Sequence, residues 1–242
     1  MEEETNGFEL TIIIPVFNEE GNLERVKEEI TSFFQKFPKK AKVLFVNDGS
    51  ADNSLSIIQR ICTGTDRFQY LSFDQNYGLS AAIKAGFDAA DTPWVGYIDA
   101  DLQTTPDDFI TLFEYTGDYD LITGVRTGRK DSFVKNMSSK IANGIRRMFT
   151  HDGMDDTGCP MKLIRTDMAK KIPMFNGLHR FLPAMILLQK GKIKQVPVKH
   201  FPRIAGKSKF NLWNRLLGPL QDCFAYLWMK KKYINYKIGE RG

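Results

Sequence analysis

The first half of the chain alternates between short apolar runs and longer segments whose apolar residues recur at helical spacing. Apolar runs that are rich in β-branched residues and lack strict polar alternation predict strands buried on both faces of a sheet. The predicted strands are Leu10–Val16, Lys42–Val46, Phe68–Phe73, Trp94–Ile98 and Asp120–Thr123. The helices predicted between them are Glu19–Phe37, a segment capped by Ser50 or Asp52 that runs through Ile61, Leu79–Ala90, and Pro106 through Tyr115.

Strands that alternate with helices predict an α/β fold with a mostly parallel central sheet and right-handed crossovers. From about Phe133 the pattern changes. Helices are predicted at Phe133–Phe149 and Leu178–Gln189, a strand at Lys192–Lys199, a basic loop at Arg203–Lys209, and an aromatic-rich helical stretch from Phe210 to about Tyr236. We therefore expect a main domain over residues 1–209 and an amphipathic helical tail over residues 210–242.

Polar residues follow four of the predicted strands at the point where each strand ends. Asn18 and Glu19 follow the first strand, Asp48 the second, Asp99 to Gln103 the fourth and Arg126 the fifth. Ligands of parallel α/β sheets bind beyond the carboxyl ends of the strands. The sequence therefore predicts a binding site at this edge of the sheet.

The segment Tyr97–Gln103 carries the most specific chemistry. In an extended segment Asp99, Asp101 and Gln103 would point to the same side and present three oxygen ligands. Mg²⁺ or Mn²⁺ carrying a diphosphate takes a few protein oxygens and completes its shell with phosphate and water. The alternative interpretation is a strand that ends in an ordinary polar turn.

Composition narrows the class of partner. The chain has 242 residues, 42% hydrophobic and 26% charged, as is usual for a soluble globular protein. Its net charge of +5 fits phosphate-bearing substrates or an anionic membrane surface. The basic residues are dispersed and no zinc-finger or RNA-binding signature is present, so we expect no nucleic-acid partner.

Cysteine usage and the N-terminus indicate a reducing compartment. Cys62, Cys159 and Cys223 form no CxxC motif, and their odd number argues against a disulfide framework. The acidic start, Met1 to Glu4, is unlike a secretory signal. We therefore expect a cytoplasmic protein.

The tail predicts a surface helix. Lys230, Lys231 and Lys232 directly follow a set of apolar residues at roughly helical spacing, namely Leu212, Trp213, Leu216, Leu217, Leu220, Phe224, Leu227 and Trp228. This pattern suits a helix in a membrane interface, and the alternative is a helix docked on the domain's own core. The longest apolar stretch, Leu216 to Met229, is too short and too polar to span a bilayer.

Four motifs in the N-terminal half occur in a familiar order and spacing: Ile14–Glu19, Val46–Ser50, Asn76–Ala82 and Asp99–Gln103. Together they resemble the family 2 inverting glycosyltransferases. Within that family the sequence is similar to the polyprenyl-phosphate glycosyltransferases, such as dolichyl-phosphate mannose synthase, over roughly residues 8 to 215. The Asp-x-Asp-x-Gln motif and the basic Gly206-Lys207-Ser208-Lys209 segment support that subgroup.

The resemblance implies a nucleotide-diphosphate-sugar fold of the GT-A type, with its catalytic domain over residues 1–209. It implies that the base and ribose of a GDP- or UDP-linked sugar lie among Pro15, Phe17, Glu19 and Asp48. It implies that Asp99, Asp101 and Gln103 hold Mg²⁺ or Mn²⁺ on the diphosphate, over which Arg203 and the segment through Lys209 close. It implies that Arg126, Lys135 and Ser139 hold the acceptor phosphate.

Two departures from the subgroup affect these expectations. Lys135 stands where the subgroup often has arginine, which keeps the charge but loses the planar fork. The segment Asp156–Lys162 differs from the usual Ser-Gly followed by Phe-Arg, so the resemblance does not identify the sugar. The expected catalytic residues are Asp101, Arg126, Asp156 and Arg203.

The acceptor decides whether a base is needed. A sugar hydroxyl needs a general base, usually a positioned carboxylate. A lipid phosphate monoester has a second pKa near ~6 and is already largely dianionic at neutral pH. We therefore expect the basic cluster to bind a polyprenyl phosphate, and Asp155 and Asp156 remain base candidates for a hydroxyl acceptor on a glycan.

Three functional hypotheses follow. The first is metal-dependent inverting transfer of a sugar to a polyprenyl phosphate by a protein peripherally associated with the membrane, alone, as a homodimer or with a separate membrane subunit. The second is a family 2 transferase with a hydroxyl acceptor. The third is a nucleotide-binding scaffold without turnover, against which the intact Asp99, Asp101 and Gln103 set argues.

Overall fold

The computed structural model describes residues 7–127, 144, 146–173, 175–201, 217–235 and 239–240, with only the backbone of 217–220. The described strands form one sheet of seven, in the order β3-β2-β1-β4-β6-β5-β7. The strands are β1 Leu10–Val16, β2 Ala41–Asn47, β3 Phe68–Ser72, β4 Trp94–Tyr97, β5 Leu121–Thr127, β6 Lys162–Arg165 and β7 Ile193–Lys199. All neighbouring pairs are parallel except β4–β6 and β5–β6, in which β6 is antiparallel.

Helices cover both faces of this sheet. They are α1 Leu23–Lys36, α2 Ser54–Cys62, α3 Leu79–Ala89, α4 Asp108–Phe113, α5 Thr166–Lys170, a 3₁₀ helix at Leu178–Phe181, α6 Leu182–Leu188 and α7 Leu217–Lys232. Residues 146–150 are also helical. No helix in the described ranges has both the length and the apolar character needed to cross a bilayer.

Strand β1 supplies two separate cores, because successive side chains of a strand point to opposite faces. Leu10, Ile12, Ile14 and Val16 pack into the core under α1, α2 and α4. Ile13 packs into a second core under α3, α5, α6 and α7. Burial on both faces explains why β1 lacks polar alternation, and it holds the carboxyl ends of the parallel strands along one rigid edge.

Helix α3 lies unusually close to the sheet. A Cβ atom on Gly86 would stand 2.6 Å from the Ile13 side chain, so only glycine allows this approach. The helix N-terminus, which follows the Asn76–Gly78 loop, is thereby fixed beside the carboxyl ends of β1 and β2. The fold thus positions a loop that belongs to one of the four family motifs.

The predicted α/β fold with a mostly parallel sheet is confirmed, and the six predicted strands lie within a few residues of their expected bounds. The antiparallel strand β6 was not predicted.

Helix α1 begins at Leu23 rather than at Glu19, because Glu19 and Glu20 bond to the next loop. Asp52 accepts a hydrogen bond from the Ser54 backbone at the start of α2, whereas the Ser50 hydroxyl bonds to Asn18 instead of capping that helix.

Helix α7 docks on the domain's own core, which was one of the two alternatives expected for the tail. Its inner face docks on the second core, where Cys223 and Tyr226 are buried and Tyr226 stacks on Phe181 with ring centroids 5.7 Å apart. Its outer face leaves Phe224 and Trp228 59% and 68% exposed. The predicted domain boundary at residues 209 and 210 lies outside the described residues.

Candidate active site

Side-chain hydrogen bonds join the loops that follow β1 and β2. Asn18, at a positive φ of 55°, accepts a hydrogen bond from the Ala51 backbone at 2.8 Å through its Oδ1. The Asn18 and Glu19 backbone N–H groups donate to the hydroxyls of Ser50 and Ser54. Asparagine tolerates the left-handed conformation better than most residues, which explains its place here. Pro15 and Phe17, both half-buried, lie on the same segment.

Asp48 is buried and organises the loop before α3. Its carboxylate accepts hydrogen bonds from the Asn76 side chain at 2.8 Å and from the Tyr77 backbone at 2.7 Å, and a further one from Gly78. Burial raises the pKa of Asp48, and these hydrogen bonds oppose the rise. Gly49 follows at a positive φ of 63°, and a Cβ there would collide with the Gln75 backbone at 2.3 Å. The residues predicted to contact the base and ribose thus lie at one end of the site, around a loop that Asp48 holds in place.

The segment after β4 turns instead of staying extended. Strand β4 ends at Tyr97, the Leu102 N–H donates to the Asp99 carbonyl, and Leu102 has a positive φ of 49°. The expectation that alternation along a strand aligns Asp99, Asp101 and Gln103 is therefore wrong. Local contacts orient these residues instead.

Both aspartates have such a contact, and Gln103 is held through its backbone. The Tyr97 hydroxyl donates to Asp99 Oδ1 at 2.7 Å, and the Gln103 backbone N–H donates to Asp101 Oδ1 at 3.2 Å. The Gln103 carbonyl in turn accepts a hydrogen bond from the Phe201 backbone at 2.8 Å. The turn is therefore tied to β4 on one side and to the residues after β7 on the other.

The charges of Asp99 and Asp101 act on each other. Burial raises the pKa of Asp99 to about 6, with a further contribution from the charge of Asp101. The Tyr97 hydrogen bond and the cations Lys162 and Arg126 oppose this rise. A divalent cation would relieve the repulsion between the carboxylates, so this donor set fits Mg²⁺ or Mn²⁺.

The remaining ligands of such an ion would come from elsewhere. The described part of the chain contains no group of three or more His, Cys, Asp or Glu side chains arranged to hold a metal. Two aspartates leave most of an octahedral shell open, as is usual for Mg²⁺ sites that share their ion with substrate phosphates. Gln103, a diphosphate and water would complete the shell.

A bidentate ion pair lies at the end of β5. The Arg126 Nε and one Nη donate to the two carboxylate oxygens of Asp156, at 2.7 and 2.8 Å, and the Arg126 backbone N–H lies 3.3 Å from the same carboxylate. Both side chains are largely buried, with 12% and 9% exposed. The pair raises the pKa of Arg126 although burial acts against it. Both residues were expected at the site from the sequence, but no sequence feature pairs them.

Lys162 is a buried cation with no role predicted from the sequence. It lies on β6 opposite Tyr97, and its ammonium donates to the carbonyls of Cys159 and Thr157. Burial lowers the pKa of Lys162, while the charges of Asp156 and Asp99 oppose the decrease. A lysine within the apolar run Met161–Ile164 was the only sequence signal for it.

His179 is a second residue without an assigned role. The Ser80 hydroxyl lies 2.8 Å from His179 Nδ1 and accepts a hydrogen bond from the Gly177 backbone at 3.0 Å. Burial lowers the pKa of His179 to about 3, helped by the charges of Arg180 and Lys162. This neutral imidazole connects the N-terminus of α3 to the 3₁₀ helix on which α7 docks. No local sequence spacing indicated this contact.

The structure thus brings Asp99, Asp101, Arg126, Asp156 and Lys162 together at the ends of β4, β5 and β6. Pro15, Phe17, Glu19 and Asp48 lie at the ends of β1, which is next to β4 in the sheet, and of β2, which is the strand beyond β1. The predicted site residues Lys135, Ser139, Arg203 and Lys209 lie outside the described residues.

Comparison with known proteins identifies the family. The sequence matches the family described as glycosyl transferase family 2 over residues 11–173. It is 28% identical to dodecaprenyl-phosphate galacturonate synthase of Rhizobium johnstonii, over 96% of this chain and 69% of that protein. It is 30% identical to undecaprenyl-phosphate 4-deoxy-4-formamido-L-arabinose transferase of Pectobacterium atrosepticum, over 95% of this chain and 71% of that protein.

Solved structures support the fold. Mannosyl-3-phosphoglycerate synthase from Rubrobacter xylanophilus aligns with a TM-score of 0.72 at 14% identity, over 98% of this chain and 78% of that chain. A second structure is glucosyl-3-phosphoglycerate synthase from Mycobacterium tuberculosis, crystallised with Mn²⁺, UDP and glucosyl-3-phosphoglycerate. It aligns with a TM-score of 0.69 at 14% identity, over 97% of this chain and 84% of that chain. The fold is therefore of the GT-A type, and the chain is a glycosyltransferase that belongs to glycosyl transferase family 2.

Proposed function

We propose that this enzyme transfers a sugar from a nucleotide-diphosphate-sugar to a polyprenyl phosphate, with inversion and with the aid of Mg²⁺ or Mn²⁺. The observation that carries the proposal is the fork between Arg126 and Asp156 beside the Asp99 and Asp101 pair. In this proposal the fork holds a guanidinium for the phosphates, and it engages the carboxylate that a hydroxyl acceptor would need. The named substrates of the two similar transferases support the same acceptor class.

The donor nucleotide lies at the ends of β1 and β2 in this proposal. Pro15 and Phe17 present half-buried apolar surface, and Glu19 and Asp48 present acceptors for base and ribose. Asp48 acts through the Asn76–Gly78 loop as well, because its carboxylate accepts that loop's donors.

Asp99, Asp101 and Gln103 would hold the divalent cation, which stabilises the negative charge on the leaving diphosphate when bound. Arg203 and Lys209 would also stabilise the negative charge of the diphosphate. The Phe201 backbone contact to Gln103 attaches the chain just before Arg203 to the turn that carries these ligands. This attachment supports a role for the basic loop near the donor diphosphate.

The acceptor phosphate binds Arg126, together with Lys135 and Ser139. One phosphate oxygen bonds to the anomeric carbon as the bond from that carbon to the diphosphate breaks, so the configuration inverts and the nucleoside diphosphate leaves. No proton has to be removed from a dianionic phosphate, so no general base is required. Asp156 then serves to orient Arg126, because its carboxylate occupies one edge of the guanidinium and leaves the other Nη to the acceptor.

The outer face of α7 carries the proposed contact with the cytoplasmic membrane surface. Phe224, Leu227 and Trp228 are exposed there, and Lys230 to Lys232 follow on the same helix. Met148, 73% exposed, extends this surface through its neighbour Phe149, whose ring packs edge-on against Phe224. Aromatic side chains bounded by lysines match an interface with anionic headgroups. A second copy or a membrane subunit is the competing occupant of this face.

The transfer reaction tests the proposal directly. The protein is incubated with Mn²⁺, a short polyprenyl phosphate and, one at a time, a panel of radiolabelled nucleotide sugars, and label is counted in the organic phase. We expect label from one donor. Free nucleoside diphosphate without lipid-linked label would show a working donor site and a different acceptor. Neither product from any donor would reject the proposal.

Matched variants link the reaction to the site. Asp99→Asn removes a proposed metal ligand and should reduce transfer by roughly 10²-fold or more, the usual scale for loss of one charge-stabilising group. Asp118→Asn makes the same change at an exposed carboxylate after α4 and should leave transfer unchanged. Equal rates in the two variants would contradict the assigned site.

A further inference from the structure

We propose that Tyr97 is a positioning residue that fixes the Asp99 carboxylate for a divalent cation. This inference rests on the proposed function, in which Asp99 is one of the cation's ligands. Tyr97 is the last residue of β4, two residues before Asp99. It was not among the residues expected from the sequence to take part in the site.

The contact between the two side chains is direct and shielded. Tyr97 is 4% exposed, and its hydroxyl donates to Asp99 Oδ1 at 2.7 Å. A buried tyrosine hydroxyl needs a hydrogen-bond partner, and a carboxylate makes that bond shorter and stronger than a neutral acceptor does. The bond therefore fixes one oxygen of Asp99 and leaves Oδ2 to face another ligand.

The tyrosine ring is itself held in place. Its ring packs in the second core, and Lys162 lies directly opposite on β6 with its ammonium 5.9 Å from the ring centroid. Lys162 is in turn bonded to the carbonyls of Cys159 and Thr157. The hydroxyl thus belongs to a side chain on one of two paired strands. A paired strand holds a side chain more rigidly than a loop does.

This arrangement compensates for the turn at Asp99. Because β4 ends at Tyr97, the regular pairing of the sheet does not orient the Asp99 side chain. Outer hydrogen-bond partners of carboxylate ligands fix their direction, and removing such a partner weakens metal binding by roughly 10- to 100-fold. Asp101 has the equivalent support from the Gln103 backbone, which substitution of a side chain does not remove.

The test measures metal binding rather than turnover. Mn²⁺ alone is titrated into the full chain, and free Mn²⁺ is followed by its electron paramagnetic resonance signal. Tyr97→Phe keeps the ring and removes the hydroxyl, and we expect the Mn²⁺ dissociation constant to rise about 10- to 100-fold. Tyr70→Phe, on the edge strand β3 with the ring 40% exposed, is the matched control and should bind as the unaltered chain does.

Asp99→Asn separates the two levels of the proposal. If Asp99→Asn weakens binding and Tyr97→Phe does not, the positioning role is overturned while the metal site stands. If Asp99→Asn binds Mn²⁺ normally, or the unaltered chain binds none, the proposed metal site fails and the positioning role fails with it. Thermal melts accompany each titration, because a lower midpoint for Tyr97→Phe with an unchanged dissociation constant would show a purely structural role.

Discussion

Arg126 and Asp156, thirty residues apart in the chain, face each other as a fork, with two N–H groups of the guanidinium on the two oxygens of the carboxylate. Loss of one partner of a buried ion pair leaves the other charge uncompensated, at a cost of about 3–5 kcal/mol. The remaining Nη group of Arg126 is the part that an acceptor phosphate would contact. The pair therefore determines the orientation of the Arg126 guanidinium as well as contributing to the free energy of unfolding.

Asp156→Asn distinguishes an orienting carboxylate from a general base. We expect a lower free energy of unfolding, by about 3 kcal/mol, and a higher KM for the polyprenyl phosphate with a much smaller change in kcat. A general base would show the reverse, a kcat lower by about 10²–10⁴-fold with little change in acceptor KM. Steady-state kinetics with the acceptor varied make the distinction.

Asp155→Asn serves as the control for that measurement. The Asp155 side chain is 63% exposed and pairs at 3.5 Å with the exposed Arg147. Exposed ion pairs contribute about 0–1 kcal/mol, so stability and kinetics should both stay close to those of the unaltered chain. A lower kcat in Asp155→Asn would favour the hypothesis of a hydroxyl acceptor, with Asp155 as its general base.

Asp48→Asn should loosen the loop before α3. An amide can offer its oxygen to only some of the donors on Asn76, Tyr77 and Gly78 and turns its own N–H groups toward the rest. A buried donor left without a partner costs about 1–3 kcal/mol, so we expect the free energy of unfolding in urea to fall by that amount. The donor KM should rise as well, since the proposed base and ribose contacts adjoin this loop. Asp74→Asn, at an exposed carboxylate of the same loop, should change neither quantity.

His179 predicts a pH dependence of stability. Burial lowers its pKa from 6.5 to about 3 in the folded chain. Between these values the unfolded state binds a proton that the folded state does not, so stability falls as the pH decreases. The contribution is at most about 1.4 kcal/mol per pH unit.

The measurement compares His179→Gln with the unaltered chain in urea unfolding between about pH 7 and pH 5. We expect a shallower loss of stability in His179→Gln, while titration of the carboxylates cancels in the comparison. His151→Gln, at an exposed histidine, should follow the unaltered chain. Parallel curves for all three proteins would show that His179 is not held neutral.

Binding to vesicles tests the outer face of α7. Replacing Lys230, Lys231 and Lys232 together by glutamine should weaken binding to anionic vesicles by about 3 kcal/mol at low salt, since each lysine near such a surface contributes about 1 kcal/mol. The matched control replaces Lys27, Lys39 and Lys40, three exposed lysines that belong to or follow α1 on the opposite side of the sheet.

Substituting both Phe224 and Trp228 by serine tests the apolar part of the same face. We expect weaker vesicle binding, and the loss relative to the unaltered chain should persist at high salt. The reason is that the lost contribution is hydrophobic burial, which salt does not screen. Equal binding by all variants would leave a second copy or a membrane subunit as the occupant. Sedimentation of the free protein, as a monomer or a dimer, separates those two.

The parallel part of the fold was predictable because its signals are local. Strands β1, β2 and β4 are largely apolar runs, and polar residues end these runs at one edge of the sheet. Strand β6 escaped prediction because Lys162–Arg165 is only four residues long and carries a charge at each end. Its place between β4 and β5 depends on pairing with strands far away in sequence.

The polar residues at the carboxyl edge of the sheet could be predicted by type and spacing, but the contacts between them could not. The aspartates of the turn after β4 were identified by type and spacing, yet the turn itself follows from the positive φ of Leu102, which no periodicity reveals. The fork between Arg126 and Asp156 and the contact between Ser80 and His179 join residues 30 and 99 positions apart. Contacts at such separations depend on the packed sheet, and sequence spacing does not encode them.

The antiparallel insertion of β6 has a consequence for the way in which the chain folds on the ribosome. Strands β1 to β4 can pair in parallel as they emerge, but one edge of β4 stays unpaired until Lys162–Arg165 has been synthesised, because β6 and not β5 lies beside it. An unpaired edge is a template for association with other chains. Newly made chains that stop between Thr127 and Lys162 should therefore be the aggregation-prone species, and the same strand that brings Lys162 to the site also closes that edge.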